Sequence, residues 1–417
     1  MVTVSKKEKS LKGELLLPAS KSISNRLLMI GALSGGDFPI MGLSEAEDTL
    51  LLQKLLTEIL KQTGGNAVTT LDTANAGTVM RFLTAYLAFQ PGKWVLTGCD
   101  RMKRRPIGIL VDALKTMGAD IDYLSWLGYP PLLIKGRPLP GNEISIDSGV
   151  SSQFISALLM IAPCLPNGLI LRLKGQSVSW PYIGMTIRLM KNFGIQVKKN
   201  GQRIHVQPGR YMTEAVQVEA DWSAAAFWYE AVALAEAADL KLKGLWKDSL
   251  QGDSVLVSIY QNFGVSTTFT GDGIRLIRTK KKVDEFYFDF TSYPDIAPAV
   301  ITTCAALGIR GRFEGLKNLK IKETDRLFAL RNEFEKMGFA IQCSAFDGAM
   351  PALELTPFNP KPRADLPIET YGDHRMAMTF APLALKTGSI RILNPDVVVK
   401  SYPQFWEHLK LLGFEVR

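Results

Sequence analysis

Cysteine and histidine are scarce in this sequence, with four cysteines and three histidines among 417 residues. They are dispersed along the chain and form no CxxC pair: Cys99, Cys164, Cys304, Cys343, His205, His374 and His408. Zinc sites and disulfide frameworks need clustered ligands or paired cysteines. The pattern therefore excludes a metal centre built from these side chains, and it fits a reducing compartment.

Long apolar runs are also missing. No apolar stretch of about 18 residues free of charge occurs, and the opening MVTVSKKEKSLKGELLLPAS lacks the apolar core of a secretory signal. With 47% hydrophobic and 21% charged residues, the composition is typical of a globular protein of two or three domains. We expect a cytoplasmic protein that does not bind membranes.

The common nucleotide-binding and hydrolase motifs are absent. The sequence has no GxxxxGK[ST] loop, no GxGxxG after a strand, no HExxH and no Ser-His-Asp signature. It also lacks an obvious carboxylate set for Mg²⁺, which phosphoryl transfer usually needs. ATP-driven phosphoryl transfer is therefore disfavoured. A reaction that breaks a C–O bond and releases phosphate could instead rely on Lys and Arg alone, and we expect no cofactor.

Positive charge is present in excess, because 49 Lys and Arg residues outnumber 40 Asp and Glu residues, for a net charge of +9. Such an excess favours acidic ligands, among them phosphorylated metabolites, nucleic acid and anionic lipid. RNA binding is one alternative, but no aromatic-basic motif or single basic stripe supports it. The basic residues accompany Ser and Gly at predicted helix starts, so we expect small anionic substrates and no nucleic-acid partner.

Six segments share one pattern, an amphipathic helix that ends in glycine and runs directly into a strand. The glycines stand where a left-handed residue would close each helix: Gly65, Gly118, Gly194, Gly264, Gly338 and Gly413. The copies recur roughly every 70 residues, which fits a βαβ-type subdomain with an extra hairpin. The pattern predicts an α/β protein of six units, although helix-Gly-strand also occurs in other α/β proteins.

An alanine-rich helix predicted within QVEADWSAAAFWYEAVALAEAADL separates the first three copies from the last three. We predict a boundary near residue 219 and two lobes, one of residues 1–19 with 219–417 and one of residues 20–218. Clusters suited to anion binding occur in both lobes. We therefore expect the active site in the cleft between the lobes, a favoured place for small ligands.

The first cluster, LPASKSISNRLLMIGAL, gathers polar groups at the start of an apolar helix. Free backbone N–H groups and the positive end of the helix dipole meet Lys21, Ser22 and Ser24 there. Arg26 follows Ser22 by one helical turn. We interpret the stretch as an anion pocket, and a serine-capped helix with exposed basic residues is the alternative.

Similar helix starts follow in the same lobe. NAGTVMRFLTAYL places a small turn before a helix, so a ligand can approach the backbone of Gly77 and Thr78. DRMKRRPIGILVDAL has four basic residues that either grip phosphate or form a basic surface loop: Arg101, Lys103, Arg104 and Arg105. SGVSSQFISALLM and SVSWPYIGMTIRL add neutral groups that are either phosphate ligands or N-caps: Ser151, Ser152, Gln153, Ser179 and Tyr182.

The second lobe has charged residues at three comparable places. Asp295 in SYPDIAPAV is either a helix cap or a general base. The block NLKIKETDRLFALRNEFEKMG brings Lys322, Glu323 and Arg326 together, although a solvated helix face is the alternative. YGDHRMAMTFAPLAL sets His374 and Arg375 before a nearly apolar helix, and Lys400 follows in VVVKSYPQFW. Residues that open such buried helices are poor solubilisers, so we expect them to face a ligand.

Taken in order, these motifs resemble the 5-enolpyruvylshikimate-3-phosphate synthase family across essentially the whole chain. The matching segments are LPASKSISNR, NAGTVMR, RMKRRPIGILVDAL, SGVSSQFISALLM, SVSWPY, YPDIAP, KETDRL and DHRMAM. The resemblance implies an inside-out α/β barrel fold of two lobes, each of three βαβαββ units, that close on the ligands. It also implies the substrates phosphoenolpyruvate and shikimate 3-phosphate, a tetrahedral intermediate, release of phosphate and a place in aromatic amino-acid biosynthesis. We expect a monomer.

The resemblance further implies a role for each cluster. Shikimate 3-phosphate is expected to contact Lys21, Ser22, Arg26, Ser151, Ser152, Gln153, Ser179, Tyr182, Asp295, Asn318 and Lys322. Phosphoenolpyruvate is expected to contact Lys21, Gly77, Thr78, Arg105, Gln153, Arg326, Arg375 and Lys400. Asp295 is the candidate base for the 5-hydroxyl. Glu323 is the candidate acid at the methylene carbon, with help from Lys21, while His374 positions Arg375.

The sequence departs from the family pattern at a few positions. Thr73-Ala74 replaces Leu-Gly, Phe82 stands where Pro is common, Trp180 replaces a basic residue, and DWSAAAF lacks a second Ser. None of these changes removes a proposed catalytic group, but sensitivity to phosphoenolpyruvate mimics stays open. The related UDP-N-acetylglucosamine enolpyruvyl transferases are the nearest alternative. They have an Ala-Lys-Asn-type opening and a reactive loop cysteine, whereas this chain opens with Ser-Lys-Ser and has only Cys99 near that loop.

Overall fold

The computed structural model describes residues 1–36, 38–61, 67–141, 143–339, 341–344, 352–355 and 367–417. Its contacts divide the chain into two units, Met1–Ser20 with Glu219–Arg417, and Lys21–Val218. We call these the terminal unit and the inserted unit. Ser20 lies in the terminal unit rather than in the lobe expected for it, because its backbone N–H donates to the Glu219 carbonyl at 2.8 Å.

The helices and strands follow in chain order. Residues 1–20 form β1 (Val2–Ser5) and β2 (Ser10–Leu16). The inserted unit contains α1 (Lys21–Ser34), β3 (Ile40–Met41), α2 (Glu47–Lys61), β4 (Val68–Asp72), α3 (Gly77–Phe89), β5 (Gly92–Thr97), α4 (Gly108–Thr116), β6 (Asp120–Tyr123), β7 (Leu132–Gly136), β8 (Glu143–Asp147), α5 (Ser152–Ile161), β9 (Leu169–Lys174), α6 (Trp180–Asn192), β10 (Val197–Asn200), β11 (Arg203–Val206) and β12 (Val216–Gln217). Residues 219–417 form α7 (Trp222–Leu234), β13 (Ala237–Lys243), α8 (Leu256–Gln261), β14 (Val265–Thr270), β15 (Gly273–Arg278), β16 (Glu285–Asp289), α9 (Ala297–Leu307), β17 (Arg310–Glu314), α10 (Arg326–Lys336), β18 (Ile341–Ser344), β19 (Ala352–Leu355), β20 (Pro367–Ile368), α11 (His374–Phe380), α12 (Ala384–Thr387), β21 (Ser389–Ile392), α13 (Phe405–Leu411) and β22 (Glu415–Val416).

One sheet arrangement recurs in both units: two parallel strands, then two strands that join antiparallel. The strand orders are β4-β5-β7-β6 and β8-β9-β11-β10 in the inserted unit, and β2-β13-β15-β14, β16-β17-β19-β18 and β20-β21-β1-β22 in the terminal unit. The inserted unit also has the short parallel pair β3 and β12. In the sheets that begin with β4, β8 and β16, a helix links the parallel strands and another precedes the antiparallel pair, so the sequence of elements is βαβαββ. In the other two four-stranded sheets, one strand comes from the start of the chain, β2 in one and β1 in the other. This confirms the predicted α/β class.

The repeated glycines close their helices as predicted. Five of them have a positive φ between a helix and the strand after it: Gly118 at 96°, Gly194 at 83°, Gly264 at 75°, Gly338 at 84° and Gly413 at 77°. Side chains with a Cβ rarely adopt this left-handed conformation, which lets a helix end and the chain reverse within two residues. The sixth, Gly65, lies outside the described residues.

The most apolar helices lie at the centre of each unit. In the terminal unit α7 packs on α9, and α11 packs on both; in the inserted unit α5 packs on α3 and α6. Trp222, Trp228 and Tyr229 of α7 are fully buried, as expected of a helix that is apolar on every side. None of the helices in the described residues is long and apolar enough to cross a bilayer.

Glu230 is an ionisable residue within this apolar core. Its side chain is fully buried in α7, and neither carboxyl oxygen has a hydrogen-bond partner among the described residues. Burial raises the pKa of Glu230 well above its usual value of 4.5, so the folded protein holds the group as the neutral acid. The unfolded chain would ionise it at neutral pH.

We predict that Glu230→Gln stabilises the protein by an amount that grows with pH. Above the usual pKa, each pH unit costs the wild type about 1.4 kcal/mol until the folded pKa is reached. The two proteins should be nearly equal in stability near pH 4.5 and differ increasingly at pH 6, 7 and 8, as measured by urea unfolding. Glu236→Gln, at a glutamate whose side chain is 73% exposed, is the control and should shift little. A stability difference that stays constant with pH would show that Glu230 is ionised in the fold.

Candidate active site

The inserted unit begins with Lys21 at the first position of α1. Its Nζ lies 3.0 Å from Oδ2 of Asp48, which stands in the first turn of the neighbouring helix α2. Sequence reasoning missed Asp48, because an acidic residue in the first turn of an amphipathic helix is what the helix dipole favours in any protein. The pair holds the Lys21 ammonium at two adjacent helix starts.

Arg26 is almost fully buried and heavily hydrogen-bonded. Its Nε donates to Thr186 Oγ1 at 2.7 Å, Nη1 to the Ser22 carbonyl at 2.9 Å, and Nη2 to Ser156 Oγ at 3.2 Å and the Tyr182 carbonyl at 3.3 Å. Burial lowers the pKa of Arg26 to about 10. These bonds tie α1 to α5 and α6, so Arg26 has a structural role beside its predicted contact with a carboxylate.

Two departures from the family pattern make contacts with basic side chains. The ring centre of Phe82 lies 5.5 Å from the guanidinium carbon of Arg26. Lys199 Nζ lies 4.7 Å from the centre of a ring of Trp180, so a positive charge accompanies the tryptophan that replaces a basic residue. Both contacts are cation–π interactions.

The structure brings together three clusters that are separate in sequence. Arg105 Nη1 donates to the Asn75 carbonyl at 3.3 Å, and Gln153 Nε2 donates to Thr78 Oγ1 at 3.1 Å. A Cβ on Gly77 would stand 2.5 Å from Arg105 Nη2. The Arg105 guanidinium therefore lies against the glycine turn that starts α3, and only glycine leaves room for it there.

The other residues of the basic loop differ from Arg105. Arg105 is buried, whereas Arg104 is exposed and Lys103 Nζ lies 3.5 Å from the exposed Asp100 carboxylate. Arg81 anchors the loop, since its Nη2 donates to the Pro106 carbonyl at 3.1 Å and its Nη1 to the Gly77 carbonyl at 3.2 Å. Only part of the predicted basic cluster is thus withdrawn from solvent.

The hydroxyl clusters take different conformations. Ser151 is the N-cap of α5 and accepts from the Gln153 backbone N–H at 3.2 Å, which is the ordinary capping role. Ser152 is buried in the first turn. Ser179 precedes α6 and has a φ of 54°, which is a disfavoured left-handed conformation for serine. Its side chain makes no capping hydrogen bond. Tyr182 lies in the first turn of α6.

In the terminal unit, three basic residues surround Asp295. Lys322 Nζ and Arg326 Nη1 lie 3.3 Å and 3.1 Å from Asp295 Oδ1, and Arg375 Nη2 lies 3.5 Å from Oδ2. Arg375 Nη1 also donates to the Asp295 carbonyl at 2.9 Å. Burial opposes ionisation, but Arg375, Lys322 and Arg326 together lower the pKa of Asp295 well below its usual value. Asp295 is therefore an anion at neutral pH.

Arg326 joins this group to two further carboxylates. Its Nη2 lies 2.8 Å from Glu323 Oε2, and its Nε lies 2.7 Å from Asp373 Oδ2. Asp373 also caps α11 by accepting from the Arg375 backbone N–H at 2.9 Å. Sequence reasoning missed Asp373, although its place directly before His374 at a helix start is an N-cap signal. Glu323, the candidate acid, is an ion-pair partner of Arg326 here.

A second buried carboxyl near Asp295 was also missed. Asp253 accepts a hydrogen bond from Ser223 Oγ in the first turn of α7. Burial, and next the charge of Asp295, raise the pKa of Asp253 to about 6. The signal in the sequence was weak, because the short segment QGD carries no helix or strand pattern of its own.

The remaining predicted residues are buried in the terminal unit. Asn318 lies in the 3₁₀ turn Lys317–Ile321, His374 opens α11, and Lys400 ends the 3₁₀ turn Pro395–Lys400. In the described part of the chain, no group of three or more His, Cys, Asp or Glu side chains is arranged to hold a metal ion. The carboxylates described above pair with basic side chains instead, as Asp295, Glu323 and Asp373 do with Arg326.

The family model for EPSP synthase (3-phosphoshikimate 1-carboxyvinyltransferase) matches residues 5–409. The chain belongs to this family. A 3-phosphoshikimate 1-carboxyvinyltransferase of Bacteroides fragilis is 46% identical over 413 residues, covering 98% of this chain and 97% of that protein. The protein of the same name from Salmonella agona is 36% identical, with 95% of each chain covered.

Solved structures support the fold. An EPSP synthase structure from Acinetobacter baumannii superposes with a TM-score of 0.77 at 24% identity, covering 100% of this chain and 99% of that one. This likeness supports a mixed α/β fold with several sheets. The EPSP synthase family match also agrees with the resemblance carried by the motifs, from LPASKSISNR to DHRMAM.

We predict that Gly77→Ala keeps the fold but displaces Arg105. The new Cβ would stand 2.5 Å from Nη2 and 2.9 Å from Nη1 of Arg105, and the end of a long side chain can move without disturbing the backbone. The melting temperature should change by no more than about 2 °C, and a crystal structure of the variant should show the guanidinium moved. Gly184→Ala in α6, where a Cβ meets nothing within 4 Å, is the control. An unmoved Arg105 would contradict the prediction.

Proposed function

We propose that this protein transfers the enolpyruvyl group of phosphoenolpyruvate to the 5-hydroxyl of shikimate 3-phosphate and releases phosphate. The family match over residues 5–409 carries the proposal. The residues supply suitable chemistry, because each substrate has a phosphate and a carboxylate and four anionic groups need cationic or N–H partners. Lys21 and Arg105 provide positive charge in one unit, and Lys322, Arg326, Arg375 and Lys400 provide it in the other.

The phosphoenolpyruvate contacts are assigned by family pattern and supported by charge. We assign its phosphate to Lys21, Arg105, Gln153 and Lys400, and its carboxylate to Arg326 and Arg375. The backbone of Gly77 and Thr78 shapes the pocket. The contact between the Arg105 guanidinium and the Gly77 turn supports this assignment, because it places a cation beside free N–H groups at the start of α3.

Shikimate 3-phosphate is assigned to neutral donors and fewer cations. Ser22 and Arg26 would meet its carboxylate, while Ser151, Ser152 and Ser179 would meet its phosphate. The ring and hydroxyls are assigned to the remaining residues: Lys21, Gln153, Tyr182, Asp295, Asn318 and Lys322. Because Arg26 already donates four hydrogen bonds to the protein, its share in carboxylate binding would be a single further N–H rather than a two-pronged contact.

The proton steps are assigned by family pattern and supported by the charge of Asp295. Asp295 is ionised, so it can accept the proton of the 5-hydroxyl as that oxygen attacks C2 of phosphoenolpyruvate. Glu323 and Lys21 are the candidates for protonating the methylene carbon. Loss of a proton from that carbon and departure of phosphate then complete the reaction. The cations stabilise the negative charge that collects on the leaving phosphate.

The finer features of the fold and setting belong to the same proposal. We propose the inside-out α/β barrel arrangement, with the clusters of both units acting on the same pair of substrates. A monomer located in the cytoplasm is also proposed, on the resemblance and on the composition.

The acceptor assay tests the activity directly. With phosphoenolpyruvate present, phosphate should be released on addition of shikimate 3-phosphate and not on addition of UDP-N-acetylglucosamine. Transfer to UDP-N-acetylglucosamine alone would favour the related transferases, and tight RNA binding at physiological salt without any transfer would favour the nucleic-acid alternative.

Lys21→Met should lower kcat at least about 100-fold without unfolding, because it removes a cation placed at two helix starts.

We predict that Asp295→Asn slows the chemical step far more than it weakens binding. An amide keeps the shape of the carboxyl group but cannot accept the hydroxyl proton, so kcat should fall at least about 100-fold. Binding of shikimate 3-phosphate, measured by calorimetry, should change much less. Asp325→Asn is the control, since Asp325 caps α10 and asparagine caps equally well. An unchanged kcat in Asp295→Asn would reduce Asp295 to a structural counter-ion.

A further inference from the structure

The segment that leads into α11 has an unusual backbone. Tyr371 has φ of 53° and Gly372 has φ of 68°, two consecutive left-handed residues directly before Asp373. Glycine adopts this conformation freely, whereas a tyrosine there is strained and needs support from its surroundings. The chain reverses at this point, and the reversal sets where Asp373 and Arg375 lie.

Helix α10 contacts this segment at two places. Arg326 and Glu333 are seven residues apart and so lie on one face of the helix, two turns from each other. Arg326 pairs with Asp373, after the reversal, with an Nε–Oδ2 distance of 2.7 Å. Glu333 Oε1 accepts from the Tyr371 hydroxyl at 2.7 Å, at the strained residue itself.

Glu333 makes more than one hydrogen bond with this segment. Its side chain is fully buried, and its Oε2 also accepts from the Glu369 backbone N–H at 3.3 Å. Lys336 Nζ lies 2.7 Å and 2.9 Å from the two carboxylate oxygens and compensates the charge. The Glu369 side chain also stabilises the turn. Its Oε1 accepts from the backbone N–H groups of Thr370 and Tyr371 at 3.1 Å and 3.2 Å.

We infer that Glu333 is a positioning residue for the phosphoenolpyruvate carboxylate site. Its bonds to Tyr371 and Glu369 keep the reversal in the strained conformation, and the reversal places Arg375 beside Arg326. The hydrogen bonds of Glu333 join it to Tyr371, to the Glu369 backbone and to Lys336, so its effect on Arg375 passes through the backbone of the reversal. The inference rests on the proposed function, in which Arg326 and Arg375 hold that carboxylate.

A loss of Glu333 should therefore affect one substrate more than the other. When the carboxylate is removed, Tyr371 can relax toward an ordinary conformation, and the start of α11 then shifts relative to α10. Arg326 and Arg375 would no longer present their N–H groups together. The predicted phosphate and carboxylate contacts of shikimate 3-phosphate lie in the inserted unit, away from this change. Its predicted ring contacts in the terminal unit, Asp295, Asn318 and Lys322, precede α9 and α10 and do not follow the reversal.

The experiment compares Glu333→Ala, Tyr371→Phe and the double variant in steady-state kinetics. We expect the KM for phosphoenolpyruvate to rise about tenfold in Glu333→Ala and about threefold in Tyr371→Phe, which removes only the hydroxyl and its hydrogen bonds with Glu333 and Asn332. The KM for shikimate 3-phosphate should stay within about twofold. The double variant should be no worse than Glu333→Ala, because both changes break one support.

Glu335→Ala is the matched control, a glutamate on the same helix whose exposed side chain pairs with Arg331 at 3.1 Å. It should leave both KM values unchanged. Equal rises of both KM values in Glu333→Ala, or no rise in either, would overturn the inference. If Glu333→Ala does not fold, Tyr371→Phe decides the question by the same comparison.

Hydrogen exchange separates this inference from the proposed function. In Glu333→Ala, the amides of residues 370–376 should exchange at least about tenfold faster than in the wild type, whether or not the protein has enolpyruvyl transfer activity. Unchanged exchange there would overturn the positioning role. Faster exchange in a protein that lacks the transfer activity would leave the support of the reversal standing and reject only the proposed function.

Discussion

A guanidinium group that is almost wholly withdrawn from water needs anionic partners in place of the lost solvent. Arg326, whose side chain is 1% exposed, meets Asp373, Asp295 and Glu323. Removal of one partner from such a group typically costs about 3–5 kcal/mol, because a charge is left buried and uncompensated. Residues that precede α9, α10 and α11 are therefore bound to one side chain. The geometry of this part of the terminal unit depends on that one arginine.

The rest of the site follows from the same constraint applied to helices. The central helices are apolar on nearly every side, so their interiors offer little place for a charge. Their first turns, by contrast, have free N–H groups and the positive end of the dipole, which favour anions. Asp373 and Ser151 meet this demand from within the protein, while Lys21 and Arg105 add charge beside similar helix starts. A single structural device, repeated in both units, produces most of the candidate site.

Much of this could be predicted from the sequence, because the signals are local. The glycine at each helix end and the polar residues at each helix start are visible in short windows, and five of the six glycines have the expected left-handed conformation. Asp48, Asp253 and Asp373 were missed because their importance comes from partners distant in sequence. Arg26 was expected to face a ligand, yet four hydrogen bonds hold it within the unit. Glu230 could not be recognised as an unpaired acid, since its burial depends on how three helices pack.

The first and last strands of the chain belong to one sheet. β1 lies between β21 and β22, and β2 pairs in parallel with β13, although nearly 200 residues of the inserted unit intervene. During synthesis on the ribosome, the inserted unit can therefore fold while β1 and β2 still wait for their partners. The sheet that contains β1 can be completed only after β21 and β22 have been synthesised. Until then, β1 lacks both of its neighbouring strands, and its backbone N–H and C=O groups are open to unintended pairing.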